Sequence, residues 1–574
     1  MFCNKENVNI LTALLVRHGV RHAVVCPGSR NAPIVHNLNE CPDIVCHAVT
    51  DERSAGFYAL GMAQALNAPV AVCVTSGTAL LNLLPAVAEA WYQHQPLVVI
   101  SADRPPQWIG QLDGQTLPQP DAMGRFVCQA VSLPEIPSAT EGGAGEDCRE
   151  QRWHCNRLVN EALIAATKSG DPRPVHINVP ISEPLFTFDV PALPDERAIV
   201  SMTPPTDYGV LPTELVDGLA AAQRPMIVFG QVNPHDFGGD GVDYLFGHVI
   251  VLHESLAPFP SVSHFDEVLA AVPPSSLLPD FIVHVGDCIV SKRLRHFLRS
   301  AEDTVTWRIS SSGDVEDTFQ NLRGIIVGDA EQVLQSLDEK MRFRHMAGRN
   351  YRRQWLRLLT QAGEHALSYE PQYSQMAAVR EFERRLPDDH SVTVHYANSS
   401  AVRLANIYAP HYVWCNRGVN GIEGSLSTAA GYSLIPHASI PVQQPTPVFC
   451  VIGDLSFFYD QNALWNQELG GNLRVLLLNN GCGGIFRQLP GLEQSPARDR
   501  YVTAQHPTTA EGICRQNGVG YRVARDMETL CKGVEWLLNA EATKPLLLEV
   551  QTDADCDAQE LKNYYSTLCA VIQT

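Results

Sequence analysis

The chain has 574 residues, with 42 Lys and Arg against 62 Asp and Glu, and so a formal charge of −20. Hydrophobic residues make up 45% and charged residues 18%, a globular composition, and the length calls for two or three hydrophobic cores. The acidic balance excludes a general binder of nucleic acid or anionic membrane, and anionic substrates fit only if a local pocket gathers the scarce arginines.

Sixteen cysteines are scattered from Cys3 to Cys569 without a CxxC pair or a Cys/His cluster, the pattern of buried thiols in a reducing compartment rather than of a disulfide or zinc framework. The start, MFCNKENVNILTALL, lacks the basic segment and clean apolar run of a signal peptide. No apolar stretch approaches the roughly 18 residues of a membrane span, so a cytoplasmic protein is expected.

In chain order, short β-branched runs alternate with helical stretches. The first group is HAVVC (22–26), IVCHAVT (44–50), VAVCVTS (70–76), LVVISA (97–102) and VHINVP (175–180), with helix-like SAGFYALGMAQAL (54–66) and GTALLNLLPAVAEAWYQ (77–93) between them. A Pro-rich linker is expected over 185–212. The second group is MIVFG (226–230), VIVLHE (249–254), FIVHVGD (281–287), TVTWRIS (304–310) and GIIVGD (324–329), followed by polar helical sequence to about 370. The third is SVTVHYA (391–397), YVWCN (412–416), VFCVIGD (448–454), RVLLLNN (474–480) and LLLEVQ (546–551). Strand alternating with helix at this spacing predicts an α/β protein of three doubly wound parallel-sheet domains, 1–184, 213–370 and 371–574. Parallel sheets bind ligands at the carboxyl ends of their strands, which singles out the loops CPGSR, TDER, TSGT and SADRPP.

The strongest chemical signal lies in the third domain. One strand ends in Gly453-Asp454-Leu455-Ser456, and the next ends 26 residues later in Asn479-Asn480-Gly481-Cys482. A helix and a return strand fit that interval, bringing Asp454 and Asn480 to one sheet edge. A carboxylate, an amide oxygen and a nearby backbone carbonyl form an all-oxygen set suited to Mg²⁺, and the glycines let backbone approach a diphosphate. Glu52, at a helix start directly after a strand, is a candidate acid, although either Asp51 or Glu52 serves equally well as a helix N-terminal charge.

The Gly-Asp…Asn-Asn arrangement together with Glu52 resembles the thiamine diphosphate enzymes. Within them, PGSRNAP (27–33), TDERSAGFYALG (50–61), TSGTALLNLLPAV (75–87), SADRPP (101–106), SKR (291–293), NRGVNGIEGSLSTAAG (416–431) and GDLS (453–456) are similar to the synthases of menaquinone biosynthesis. The resemblance implies a transferase that decarboxylates 2-oxoglutarate on thiamine diphosphate and adds the succinyl-semialdehyde carbanion to isochorismate. Another thiamine diphosphate decarboxylase or carboligase, of the acetohydroxyacid synthase type, is the alternative, but its smaller, less basic pockets suit the arginines poorly.

The same resemblance assigns roles. Glu52 would face the cofactor's aminopyrimidine, with Gln115 near the reactive end and Ile422 propping the bent cofactor. Asn398, Gly453, Asp454, Leu455, Ser456, Asn480, Ile485 and Phe486 would hold the cofactor, and Asp454, Asn480 and the Cys482 carbonyl Mg²⁺ or Mn²⁺. Ser29, Arg30, Arg104, Lys292, Arg293, Ser399, Arg403 and Arg417 would bind the substrate carboxylates, with Ile485, Phe486 and Leu489 on the apolar side. Ser399 and Arg403, four residues apart, are expected on one face of a helix beginning near Asn398, and would act with Glu52 and Gln115 in catalysis. Asn398 is alternatively an N-cap. Two positions depart from the wider family: Leu455 replaces a common glycine, as in the menaquinone synthases, and Cys482 stands where a glycine is usual. A cysteine there is tolerated if φ is negative and strained if it is positive. The middle domain has no GxGxxG spacing, so no FAD or NAD is expected. Active sites at a two-fold subunit interface, in a homodimer or homotetramer, complete the expectation.

Overall fold

The computed structural model describes residues 1–137, 146–202, 208–387, 391–436, 446–489 and 491–573. Three wholly parallel sheets form in chain order, because each apolar run is long enough for one buried strand and is followed by a helix that returns the chain. The first contains β1 (His22–Val25), β2 (Val45–Ala48), β3 (Val70–Val74), β4 (Leu97–Asp103), β5 (Gln129–Ser132) and β6 (Val175–Pro180), in the order β2-β1-β3-β4-β6-β5. The middle sheet, from β7 (Pro225–Phe229), β8 (Ile250–His253), β9 (Phe281–Val285), β10 (Val305–Ser310) and β11 (Leu322–Val327), runs β11-β10-β9-β7-β8. The third, from β12 (Thr393–Tyr396), β13 (Val448–Gly453), β14 (Leu473–Asn479), β15 (Gly520–Ala524) and β16 (Leu546–Gln551), runs β12-β13-β14-β16-β15.

Several expectations need correction. Residues 412–416 form no strand; Trp414 makes a single parallel bridge to His395. One residue earlier the Val413 N–H donates to the Ser255 carbonyl of the middle unit at 2.8 Å, which pulls the chain off the sheet. The helical stretch 77–93 is two helices, Thr78–Asn82 and Leu84–Tyr92, because Pro85 brings no N–H to bond back into the preceding turn. Two edge strands carry too little apolar run to show in the sequence: β5 (QAVS) and β15 (GYRVA). The stretch 185–202 lies against the first unit, where Phe2 and Val190 form an antiparallel bridge and Glu196 takes Arg152 at 2.7 Å.

The first and third units share one hydrophobic core. Helix Glu52–Leu66 crosses helix Ser425–Ser433 so closely that a Cβ on Gly61 would lie 1.9 Å from the Thr428 carbonyl oxygen, and one on Gly431 2.1 Å from that of Tyr58. The sixteen cysteines are free thiols. Among the described residues no helix is long and apolar enough to cross a membrane.

Candidate active site

β13 and β14 are neighbours in register, with Gly453 opposite Leu478, so Asp454 and Asn480 leave the same carboxyl edge. Asp454 is 4% exposed and opens the short helix Asp454–Tyr459. Its Oδ1 accepts from the Leu455 N–H at 2.7 Å and its Oδ2 from the Cys482 N–H at 3.0 Å. Burial outweighs these donors and pushes its carboxyl up to about 6. The nearest basic side chain is His506, 3.6 Å away, and burial lowers the affinity of that imidazole for a proton. Asn480 donates through Nδ2 to Asp557 at 3.0 Å, and among the described residues its Oδ1 has only the Cys482 thiol, 3.8 Å away. In the connecting loop the left-handed conformation falls on Gly481 (φ 72°) and not on Cys482, so the cysteine side chain adds no strain. The Cys482 carbonyl accepts from Gly484 N–H at 2.8 Å and keeps a second lone pair. A buried, under-compensated carboxylate beside two neutral oxygens fits a small divalent cation. Among the described residues no cluster of three His, Cys, Asp or Glu offers a rival metal site.

Beside this edge a cavity of about 380 Å³ opens between the middle and third units, and Lys292, Arg293, Arg403, Asn480, Ile485 and Leu489 share its wall. Arg417 is 6% exposed, donates to Asn398 Oδ1 at 2.9 Å and approaches Cys288 Sγ at 3.7 Å, while its Nε has no partner among the described residues. Desolvation first, and then the charge of Arg417, depress the proton affinity of Arg403. Among the described residues neither arginine has a carboxylate at ion-pair distance. Two neighbouring guanidinium groups that feel the Glu254 carboxylate only at a distance, with no direct ion pair, form a site for anions.

Ser399 sits differently from expectation. The helix is Ser400–Tyr408, and Ser399 precedes it with φ 73° and ψ −126°, a strained conformation for a residue with a Cβ. The pairing with Arg403 runs through the backbone, Arg403 Nη1 to the Ser399 carbonyl at 2.7 Å, and Ser400 rather than Ser399 lines the cavity. Asn398 does not cap that helix. Its Nδ2 donates to the carbonyls of Asn416 (2.7 Å) and Gly421 (2.8 Å), stapling the loop that carries Arg417. Ile422 is 44% exposed and Phe486 37%, so neither is ordinary core. The Ser456 hydroxyl donates to the Ile422 carbonyl, tying the Gly453–Ser456 turn to that loop.

The remaining candidates gather at the carboxyl edge of the first sheet. Asp51, not Glu52, caps helix Glu52–Leu66, accepting from the N–H groups of Arg53 (2.9 Å) and Ser54 (3.3 Å). Glu52 is thereby released from capping, and its Oε2 accepts from Asn82 at 3.2 Å. Arg30 is buried, donating to the Ile181 carbonyl at 2.8 Å; desolvation and then Arg104 lower its proton affinity. Arg104 pairs with Asp113 at 3.0 Å. Gln115 has φ 59° and its backbone packs on Gly77, where a Cβ would lie 3.1 Å from the Gln115 carbonyl oxygen. Ser29 is exposed. None of these first-sheet residues lines the cavity that holds Arg403 and Asn480.

Sequence reasoning missed the supporting carboxylates. Asp557 orients Asn480 from the last helix, and Asp266 pairs with Arg293, whose guanidinium also lies 4.6 Å over the Tyr565 ring. Nothing in their local sequence marks them. Glu254 closes the apolar run VIVLHE at a strand's carboxyl end, a signal that was legible.

Two of the three units match known families: residues 6–124 the thiamine pyrophosphate enzyme N-terminal TPP binding domain, and residues 397–550 the C-terminal TPP binding domain. A solved structure of a candidate thiamin diphosphate-dependent enzyme from Mycobacterium smegmatis covers 96% of this chain and 100% of its own, with a TM-score of 0.67 at 17% identity, which supports the fold. Fold and sheet-edge chemistry together define a thiamine diphosphate enzyme. Full-length relatives narrow this. The 2-succinyl-5-enolpyruvyl-6-hydroxy-3-cyclohexene-1-carboxylate synthases of Bacteroides thetaiotaomicron (42% identity; 99% of this chain, 100% of theirs), Bacteroides fragilis (43%; 99% and 100%) and Phocaeicola vulgatus (41%; 99% and 99%) align throughout. The chain belongs to this synthase family.

Proposed function

We propose that the protein is the thiamine diphosphate-dependent transferase that decarboxylates 2-oxoglutarate and joins the remaining four-carbon unit to isochorismate in menaquinone biosynthesis. The observation that carries the substrate assignment is the half-buried Arg403, next to the buried Arg417 and, among the described residues, without a carboxylate at ion-pair distance, in a cavity wall that it shares with Lys292, Arg293 and Asn480. Two substrates with four carboxylates between them supply the missing negative charge.

Thiamine diphosphate supplies the electron sink for decarboxylation. Asp454, Asn480 and the Cys482 carbonyl would hold its Mg²⁺ or Mn²⁺, with the Gly453–Ser456 turn against the diphosphate. Glu52 holds a proton at its carboxyl for exchange with the aminopyrimidine, and Asn82 steadies that carboxyl. Gln115 would act near the reacting carbons, and Ser399 would act through its carbonyl, which holds Arg403. Lys292, Arg293, Arg403 and Arg417 orient the acceptor, and Ile485, Phe486 and Leu489 exclude water from its ring. Arg30 and Arg104, with Ser29, close the site from the first unit of a second copy. The separation of the first-sheet candidates from the cavity within one chain supports that interface arrangement, and a dimer or tetramer with it. The reading is that of a cytoplasmic protein.

An ultraviolet assay of isochorismate loss tests the proposal. Consumption that requires 2-oxoglutarate, thiamine diphosphate and Mg²⁺ together, and fails when pyruvate replaces 2-oxoglutarate, is expected. Decarboxylation of a 2-oxoacid without isochorismate loss would refute the acceptor.

A further inference from the structure

Glu254 lies outside every role assigned above, yet it lines the same cavity as Lys292, Arg293 and Arg403 and is bonded to the turn that carries two of them. It follows β8 directly and is 2% exposed. Its two carboxylate oxygens accept from consecutive backbone amides, Val290 N–H and Ser291 N–H, both at 2.7 Å. Ser291 in turn caps helix Lys292–Arg299, its hydroxyl accepting from the Leu294 N–H at 3.0 Å. Two cations, Lys292 and Arg293, therefore open a helix at its positive end, against the dipole preference, and Glu254 anchors the turn that puts them there. The next residue, Ser255, hydrogen-bonds Asn406 through both N–H (3.0 Å) and hydroxyl (2.6 Å), and Asn406 lies on the helix that carries Arg403. Glu254 is also the carboxylate whose charge reaches both Arg403 and Arg417. Burial pushes its own proton affinity up to about 7, and the two amide bonds and Arg417 work in the other direction. The device recurs. Glu89, also 2% exposed, accepts from Gly418 N–H and Val419 N–H at 2.7 Å each, immediately after Arg417.

We propose that Glu254 is a positioning residue for acceptor binding: it fixes Lys292 and Arg293 through two adjacent amides and balances Arg403 and Arg417 until an anion arrives. This rests on the reading of the pocket as an anionic-acceptor site. Glu254→Gln keeps the shape, but it can offer an oxygen to one amide only and turns an NH₂ toward the other. In the full-length enzyme with thiamine diphosphate and Mg²⁺, the KM for isochorismate is expected to rise by about tenfold or more, while 2-oxoglutarate decarboxylation, followed with ferricyanide as electron acceptor, stays within about threefold of wild type. Equal loss in both assays, or an unchanged KM, would overturn the proposal. If the wild type leaves isochorismate untouched, it is the acceptor assignment that fails. Succinate binding by calorimetry then decides the positioning role: weakening of about tenfold in Glu254→Gln sustains it, and equal affinity sinks it. Should that variant not fold, Glu89→Gln, acting on Arg417 through the Gly418 and Val419 amides, must show the same split between KM and decarboxylation, and parallel loss of both would refute the scheme.

Discussion

Arg417 separates a substrate-binding residue from a structural clamp, and Arg417→Met distinguishes them. In the free protein the guanidinium is buried, gives one good hydrogen bond to Asn398, and leaves Nε unpaired among the described residues, next to a second arginine. Removing a buried guanidinium that has no direct ion pair relieves a desolvation penalty of about 1–4 kcal/mol at most, less what Glu254 and Glu89 lose with its charge. Leaving the Asn398 oxygen with only the weak Cys415 thiol, 3.7 Å away, costs up to about 1–3 kcal/mol. The two nearly cancel, so thermal unfolding of the variant is expected close to that of wild type. With substrate bound the balance is different. Truncating one partner of a desolvated, hydrogen-bonded charge pair costs about 2–5 kcal/mol, or about 30-fold to several thousand-fold in affinity. Steady-state KM for isochorismate, read beside differential scanning calorimetry, tests both halves. A clamp would instead destabilise the protein by about 3–5 kcal/mol, a fall of roughly 3–4 °C if a chain of this length melts as one unit. A fall of that size in melting temperature with only a proportionate loss of activity would refute the substrate role.

Glu52→Gln is expected to lower turnover by about 10²–10⁴-fold with unfolding unchanged, because Asp51 carries the helix cap; retained turnover would remove Glu52 from proton transfer. Mixing Glu52→Gln chains with Asp454→Ala chains should regenerate about a quarter of wild-type activity through one intact site per mixed dimer, and no recovery after subunit exchange would contradict the interface site. His395, buried among Trp414 and Tyr432 with Nε2 unpartnered among the described residues, is pushed down to about 3 by desolvation. Its folded-state affinity for protons lies below the unfolded one, so its contribution is complete above the ordinary 6.5 and is lost as pH falls. Between pH 7 and 5 the wild type should lose about 2 kcal/mol that His395→Phe keeps, measured by denaturant unfolding, and parallel pH profiles would refute this.

What the sequence determined by itself was local or periodic. β-branched runs alternating with helical stretches specified three parallel sheets, because strand and helix periods are set within a few residues and a parallel strand needs a crossover. The Asp454–Asn480 interval placed both residues on one edge for the same reason. Tertiary structure decided what depends on partners far along the chain. Asp51 rather than Glu52 took the helix cap, although the two are neighbours with the same charge, because the cap requires the extended conformation just before the first helical residue. Asn398 became a staple for the loop carrying Arg417, because that loop returns 18 residues later to offer it carbonyls. Residues 412–416 read as a strand but lost the ladder to a bond with Ser255 from another unit. Of the two buried carboxylates beside the basic wall, Glu254 was legible as the polar end of a strand and Glu89, inside helix Leu84–Tyr92, was not, and the backbone amides that both grip leave no side-chain signature in the sequence.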